Sequence, residues 1–398
     1  MFYHNKNILV QKKDEKGRLP VAATHPLPLA FGKRFSYISH YKSCHRQQRE
    51  KYYRTFVYCC LIVTLRQFVH DICEKRMNIR TQLRRNSGRL FLALNILFVV
   101  HCAVHAQNST YTFLLSDVGA RSAGMAGSFV SMRNDVNTIF YNPAGIATLT
   151  QPQASFGYLK NLLDINSGYV SYAQNLSDIG KIGFGINYVN YGTFDETDEL
   201  ANKIGTFTAG DLDMSVGFAT EFEENLYYGV VAKFIYSSIA DAASSAIAAD
   251  FGILYFIPGA NPVSIGASVR NMGTQLNPYL TTRESLPLDV SVGASIKPQH
   301  LPLLLNVDFH QLNETQDDFV SHLKMYSIGG EFTLSKELRF RFGFDNERRK
   351  DLALGTTSGL AGFSFGGGIA LQTLHFDYAF TSLGKIGSLN SITVEMNL

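Results

Sequence analysis

The chain contains no tryptophan, and all five of its cysteines, Cys44, Cys59, Cys60, Cys73 and Cys102, fall within the first 106 of its 398 residues. Residues 107–398 therefore have neither a disulfide framework nor a thiolate metal site to draw on. Long hydrophobic runs are missing too: from Gln153 onward nothing approaches the ~20 apolar residues of a spanning helix. The spacings HExxH and CxxC are absent after residue 106, and so are the phosphate-binding glycine patterns. Four histidines remain there, His300, His310, His322 and His375. Together these absences weigh against a zinc hydrolase, a redox dithiol, a nucleotide-binding loop and a helical membrane protein. No cofactor and no metal are expected.

Charge divides the chain in two. Residues 1–106 carry 19 Lys/Arg against 5 Asp/Glu, and residues 107–398 carry 17 against 28, so a leader of +14 precedes a body of −11. Near the junction Met77 is followed by Arg80, Arg84, Arg85 and Arg89, then by the apolar run Leu90 to Val100, then by Val104-His105-Ala106. That order predicts a signal peptide over 77–106, cleaved before Gln107, with 1–76 an extension outside the native translated chain. An acidic body also argues against nucleic acid as a partner.

From Gln153 onward the sequence alternates with period two. Leu338, Phe340, Phe342 and Phe344 oppose Arg339, Arg341, Gly343 and Asp345, so one face is aromatic and the other polar. The same alternation recurs at Lys181–Tyr191, Leu226–Tyr236, Val290–Lys297, Leu303–His310, Leu374–Phe380 and Ile392–Leu398. Turn-rich stretches separate the runs at 175–180, 195–205, 221–225, 258–262, 271–286 and 313–321. A soluble sandwich shows the same period, but here the polar faces are rich in Gly, Ser and Asn, which suits a crowded lumen. The pattern predicts an all-β, transmembrane antiparallel barrel of about 14 strands over 153–398. Tyr188, Tyr191, Tyr227, Tyr228 and Tyr255 are expected in interfacial girdles.

Residues 107–152 break the period. They contain Gly119-Ala120-Arg121-Ser122-Ala123-Gly124-Met125-Ala126-Gly127-Ser128-Phe129-Val130, then Asn134-Asp135, then Tyr141-Asn142-Pro143-Ala144-Gly145. Pro143 fixes its own φ and keeps Asn142 extended, which makes a rigid turn of these residues. The series resembles the opening of the PorV/PorQ family, which is related to FadL-like barrels. More loosely similar are Asp250–Tyr255, Val269–Gly273, Leu286-Pro287 and Asp377–Phe380. The resemblance implies a hatch inside a 14-stranded barrel, with Asn142, Pro143, Ala144 and Gly145 as its turn. It also implies an outer-membrane, non-enzymatic role beside a type IX secretion machine, with secretion components and exported cargo as partners. The alternative is a FadL-like transporter passing a hydrophobic ligand through the lumen. Two features depart from expectation: the chain ends on Met396-Asn397-Leu398, where outer-membrane barrels commonly end on an aromatic residue, and the turn reads Asn-Pro-Ala-Gly where the PorQ branch has Asn-Pro-Ala-Leu.

Charges cannot face lipid cheaply, so Lys233, Asp308, His310, Arg339, Arg341, Asp345, Asp377 and Glu395 are expected to point into the lumen. His310 beside Asp308, and His375 beside Asp377, could form a base with its carboxylate, but a hydrogen-bonded lumenal network is the simpler expectation. The acidic stretches at 195–199 and 221–224 match no calcium loop and read as solvated surface.

Overall fold

The structure is a computed structural model and describes residues 110–313, 323–352 and 359–398. The expected extension over 1–76, the signal peptide over 77–106 and His322 lie outside the described residues. Alternating apolar and small polar residues build 14 strands: β1 (Gln153–Lys160), β2 (Asn166–Leu176), β3 (Gly180–Thr197), β4 (Lys203–Glu223), β5 (Leu226–Ile239), β6 (Ala242–Ile257), β7 (Val263–Asn277), β8 (Asp289–Ile296), β9 (Leu303–Phe309), β10 (Tyr326–Thr333), β11 (Leu338–Asp345), β12 (Phe363–Leu371), β13 (Leu374–Ser382) and β14 (Ser388–Asn397). Each is hydrogen-bonded to its neighbours in sequence, and β14 returns to β1 in antiparallel register from Gln153 opposite Asn397 to Lys160 opposite Asn390. Closure leaves no sheet edge, which is what a strand-built membrane protein requires.

The period-two pattern now has a physical meaning. Phe156, Val170, Phe184, Ile265, Phe340 and Ile392 project outward, between 42% and 55% exposed in the isolated chain. Their inward neighbours Ser155, Ser171, Ser264, Arg341 and Thr393 are buried. A sheet with oil outside and polarity within is a transmembrane barrel.

The two ends differ. At one end strands are joined by the short connections 177–179, 224–225, 258–262, 297–302, 334–337 and 372–373. There Leu398 donates its backbone N–H to the Pro152 carbonyl (2.9 Å), so β1 begins where the chain finishes. The opposite end carries 278–288 and the described residues 310–313, 323–325, 346–352 and 359–362, among them the helical turn α1 (Asn346–Asp351), whose first turn is capped by the Asp345 carboxylate. Several polar stretches expected as loops belong to strands instead. β3 runs to Thr197 and β4 starts at Lys203, so only 198–202 is left of the expected loop over 195–205. Residues 193–197 and 203–208 pair only with one another, forming a hairpin that overhangs the long-loop rim.

Residues 110–152 lie inside the barrel as a chain of short turns: 3-10 segments at Thr112–Leu115, Val136–Phe140 and Pro143–Thr148, and one α-turn at Ala120–Gly124. The molecule's main core is the packing of this plug on the wall, with Met125, Phe129, Val136, Ile139 and Ile146 against Tyr169, Ala173, Ala219 and Val231. Glycines on the inner face permit the approach. A Cβ on Gly229 would lie 2.5 Å from the carbonyl of Pro143, and one on Gly343 would collide with the backbone of Met125 and Ala126.

Candidate functional site

The lumen and its plug form the site. Asn142 sits at its centre, fully buried: its Oδ1 accepts the N–H of Ala144 (3.1 Å), and its Nδ2 donates to the carbonyls of Val130 (2.8 Å) and Ile253 on β6 (3.0 Å). One side chain therefore closes the turn, joins two stretches of plug and ties both to the wall. Pro143 supplies the first residue of the following 3-10 segment, where its missing N–H costs nothing. A Cβ on Gly145 would meet the Thr138 side chain at 2.6 Å, so this position too is filled from within the plug.

A chain of buried charges holds the plug sideways. Arg121 grips Glu331 of β10 through two parallel hydrogen bonds (2.9 Å each) and reaches Asp135 of the plug with its third nitrogen (3.0 Å). Glu331 also accepts from Arg341 of β11 (2.7 Å), and Arg341 pairs with Asp377 of β13 (2.6 Å). Loss of hydration, reinforced by the nearby Glu395 charge and opposed by Arg121, pushes the Asp135 carboxyl up to about 6. Elsewhere Asp308 accepts the N–H of Val130 (2.7 Å), Arg270 pairs with Asp289 and donates to the Phe140 carbonyl (2.9 Å), and Lys233 pairs with Asp250 (2.7 Å). At the long-loop end Arg348 reaches Asp117 (2.9 Å).

Of the residues expected in the lumen, Lys233, Asp308, Arg341, Asp377 and Glu395 are buried on the inner face. Arg339 and Asp345 are half-buried, and Asp345 is spent on capping α1. His310 lies between Ser327 (Nε2, 2.9 Å) and Ser291 (Nδ1, 3.3 Å). Asp308, its expected carboxylate, is directed to Val130 instead, because the plug offers an unsatisfied N–H there. His375 faces Glu395 at 3.6 Å rather than Asp377, which Arg341 has taken. The letters Gly362-Phe363-Ser364-Phe365-Gly366 match the hydrolase spacing GxSxG. In the structure Ser364 lies within β12 and donates to Thr381 (3.2 Å), with no strand-to-helix elbow around it. Tyr191 and Tyr227 are not girdle residues: Tyr191 donates to Asp211 (2.6 Å), and Tyr227 bonds to Arg133 of the plug. Tyr188 and Tyr255 do face outward.

Near the long-loop mouth the lining changes character. Val189, Ile235, Ala246, Ala248 and Leu286 form an apolar cluster that Tyr111, Phe113 and Leu114 of the plug fill. No group of three or more His, Cys, Asp or Glu suited to a metal occurs among the described residues.

No protein-family model matches the chain, and no curated protein sequence is similar to it. Among solved structures, it is similar to a deltaS2S3 mutant of the TodX monoaromatic hydrocarbon channel (TM-score 0.49, 11% identity, 71% of this chain and 100% of that one). It is also similar to the Pseudomonas putida toluene transporter TodX (TM-score 0.46, 10% identity, 71% and 99%) and to a Pseudomonas aeruginosa FadL homologue (TM-score 0.42, 10% identity, 70% and 98%).

Proposed function

We propose that this chain is an outer-membrane barrel that admits small apolar molecules into a lumen gated by its own hatch. In such a barrel the short connections face the periplasm and the long loops face outward. The observation that carries the reading is the apolar cluster of Val189, Ile235, Ala246, Ala248 and Leu286 under the long-loop mouth. It is set in a wall whose inner face is otherwise dominated by Ser, Asp, Asn and Gly. A pore for hydrophilic solutes has no use for such a patch beyond seating Tyr111, Phe113 and Leu114 of the plug. Passage requires the plug to shift, because its turns occupy the lumen.

Uptake of radiolabelled ethylbenzene by cells with and without the chain tests this. Several-fold faster entry is expected with it, and equal entry would refute the reading.

A second reading, attachment or secretion of exported proteins in the PorV/PorQ manner, is favoured by the overhanging hairpin. Phe194 and Phe207 stack there at 5.3 Å between ring centroids, and Leu200 and Ile204 are exposed at 82% and 63%. Replacing residues 194–207 by a short turn should leave ethylbenzene uptake intact under the first reading. Under the second it should abolish copurification of cargo.

A further inference from the structure

The apolar cluster under the mouth does more than accept oil. Tyr111 enters it with its ring 4% exposed, and the phenolic oxygen ends against two fully buried polar groups. Ser244 commits its own proton to the Asn277 carbonyl (2.7 Å), so towards the phenol it can only accept, and the Tyr111 hydroxyl donates to it at 2.5 Å. Gln275 then donates from Nε2 to the Tyr111 oxygen (3.3 Å) and to Ser244 (2.7 Å). An aromatic ring is thus held by an aliphatic wall, and its hydroxyl is read both as donor and as acceptor.

Nothing in the wall nearby favours an anion. Lys233, two residues along β5 from Ile235, is taken by Asp250 and Asn271. Asp211 faces the same end of the lumen and accepts from Tyr191 and Ser237. The occupant is also poorly suited to its own seat. Tyr111 adopts φ 66°, ψ 37°, a left-handed conformation that is unfavourable for an aromatic residue, and the segment behind it is a single 3-10 turn.

We propose that this pocket is a binding site for small para-substituted phenols, kept closed in the resting protein by Tyr111, which occupies it as a stand-in for the ligand. The proposal rests on the lumen being a conduit and names the class of molecule it selects. An incoming phenol would replace Tyr111 at both Ser244 and Gln275, whereas an alkylbenzene of the same shape would leave them only their bonds to each other and to Asn277 and Glu284, and would forgo the hydroxyl's two hydrogen bonds. Release of Tyr111 frees the first turn of the plug and relieves its backbone strain, which couples ligand entry to the start of hatch movement.

Isothermal titration of the detergent-solubilised full chain with 4-ethylphenol and with ethylbenzene tests the proposal. Tyr111→Ala removes the internal competitor and should bind 4-ethylphenol at least about tenfold more tightly than the unaltered protein. It should also prefer 4-ethylphenol over ethylbenzene by about tenfold or more, as a site built around a hydroxyl does. Adding Gln275→Leu should bring that preference down towards unity. In the unaltered protein, saturating 4-ethylphenol should raise amide exchange over residues 111–115, a readout that needs no substitution to fold.

Equal affinity of Tyr111→Ala and the unaltered protein, equal affinity for the two ligands, or a preference indifferent to Gln275→Leu would overturn the proposal. Ethylbenzene uptake by cells without any phenol preference would leave the conduit standing and dispose of this site. A phenol preference without uptake would do the reverse.

Discussion

Arg121 shows how a single residue can decide whether the plug stays put. Its guanidinium bridges the carboxylates of Asp135 and Glu331, one on the plug and one on β10. Arg121→Ala would leave two buried carboxylates short of a partner, an arrangement that typically costs about 3–5 kcal/mol. The expected result is a lower unfolding midpoint by heat-shifted gel mobility, and an unchanged midpoint would count against the bridge.

Asp135 adds a pH dependence. Its carboxyl is raised from the ordinary 3.8 to about 6, first by burial and then by Glu395. The folded protein therefore holds a proton that the unfolded chain releases at lower pH. The stability this group contributes is fully present below about 4 and is lost as pH rises through 6. Asp135→Asn should flatten the stability profile across that window; a profile no flatter than the parent's would contradict the shift. Asn142→Ala takes a donor from the carbonyls of Val130 and Ile253 and the acceptor from the Ala144 N–H, and should cost about 1–3 kcal/mol, seen as faster amide exchange at Ala144.

At the scale of elements, the strands were legible because lipid outside and plug inside impose opposite demands on alternate residues. Leu338–Asp345 shows this plainly, with Phe340 outward and Arg341 fully buried. Strand ends were not legible. Polarity at Asp195 and Glu196 signals solvent, but it cannot reveal that those residues continue a ladder above the rim. The register shift between Asn190 and Thr193, and Arg133 of the plug, explain why tyrosines near strand ends were assigned to the wrong side.

The site was legible only in part, for the same reason. The Asn142 turn announces itself through Pro143, whereas the partner of Arg121 lies 210 residues away and no local pattern points to it. Glu331 did leave a signal, a lone carboxylate in line with the inward Ser327 and Gly329 of β10. Gly343 offers a test at this scale. Its missing Cβ gives room to the backbone of Met125 and Ala126, so Gly343→Ala should lift that turn while β11 stays paired. Planar-bilayer recordings should then show openings that the parent lacks, and a silent variant would mean the plug yields without unblocking the lumen.

Residues 153–398 close into a sheet whose interior is filled by the turns of residues 110–152, so closure, lipid exposure and plugging are one proposition. Because all five cysteines lie before residue 107, replacing those five by serine lets single spin labels be placed in 107–398 without background. Labels at Phe156, Phe340 and Phe376 should be relaxed by oxygen dissolved in the bilayer and hidden from an aqueous nickel chelate. Labels at Ser155, Ser291 and Ser364 should be shielded from bilayer oxygen. If the inward set met lipid oxygen while the outward set met the chelate, the barrel would be inside out and the account would fail.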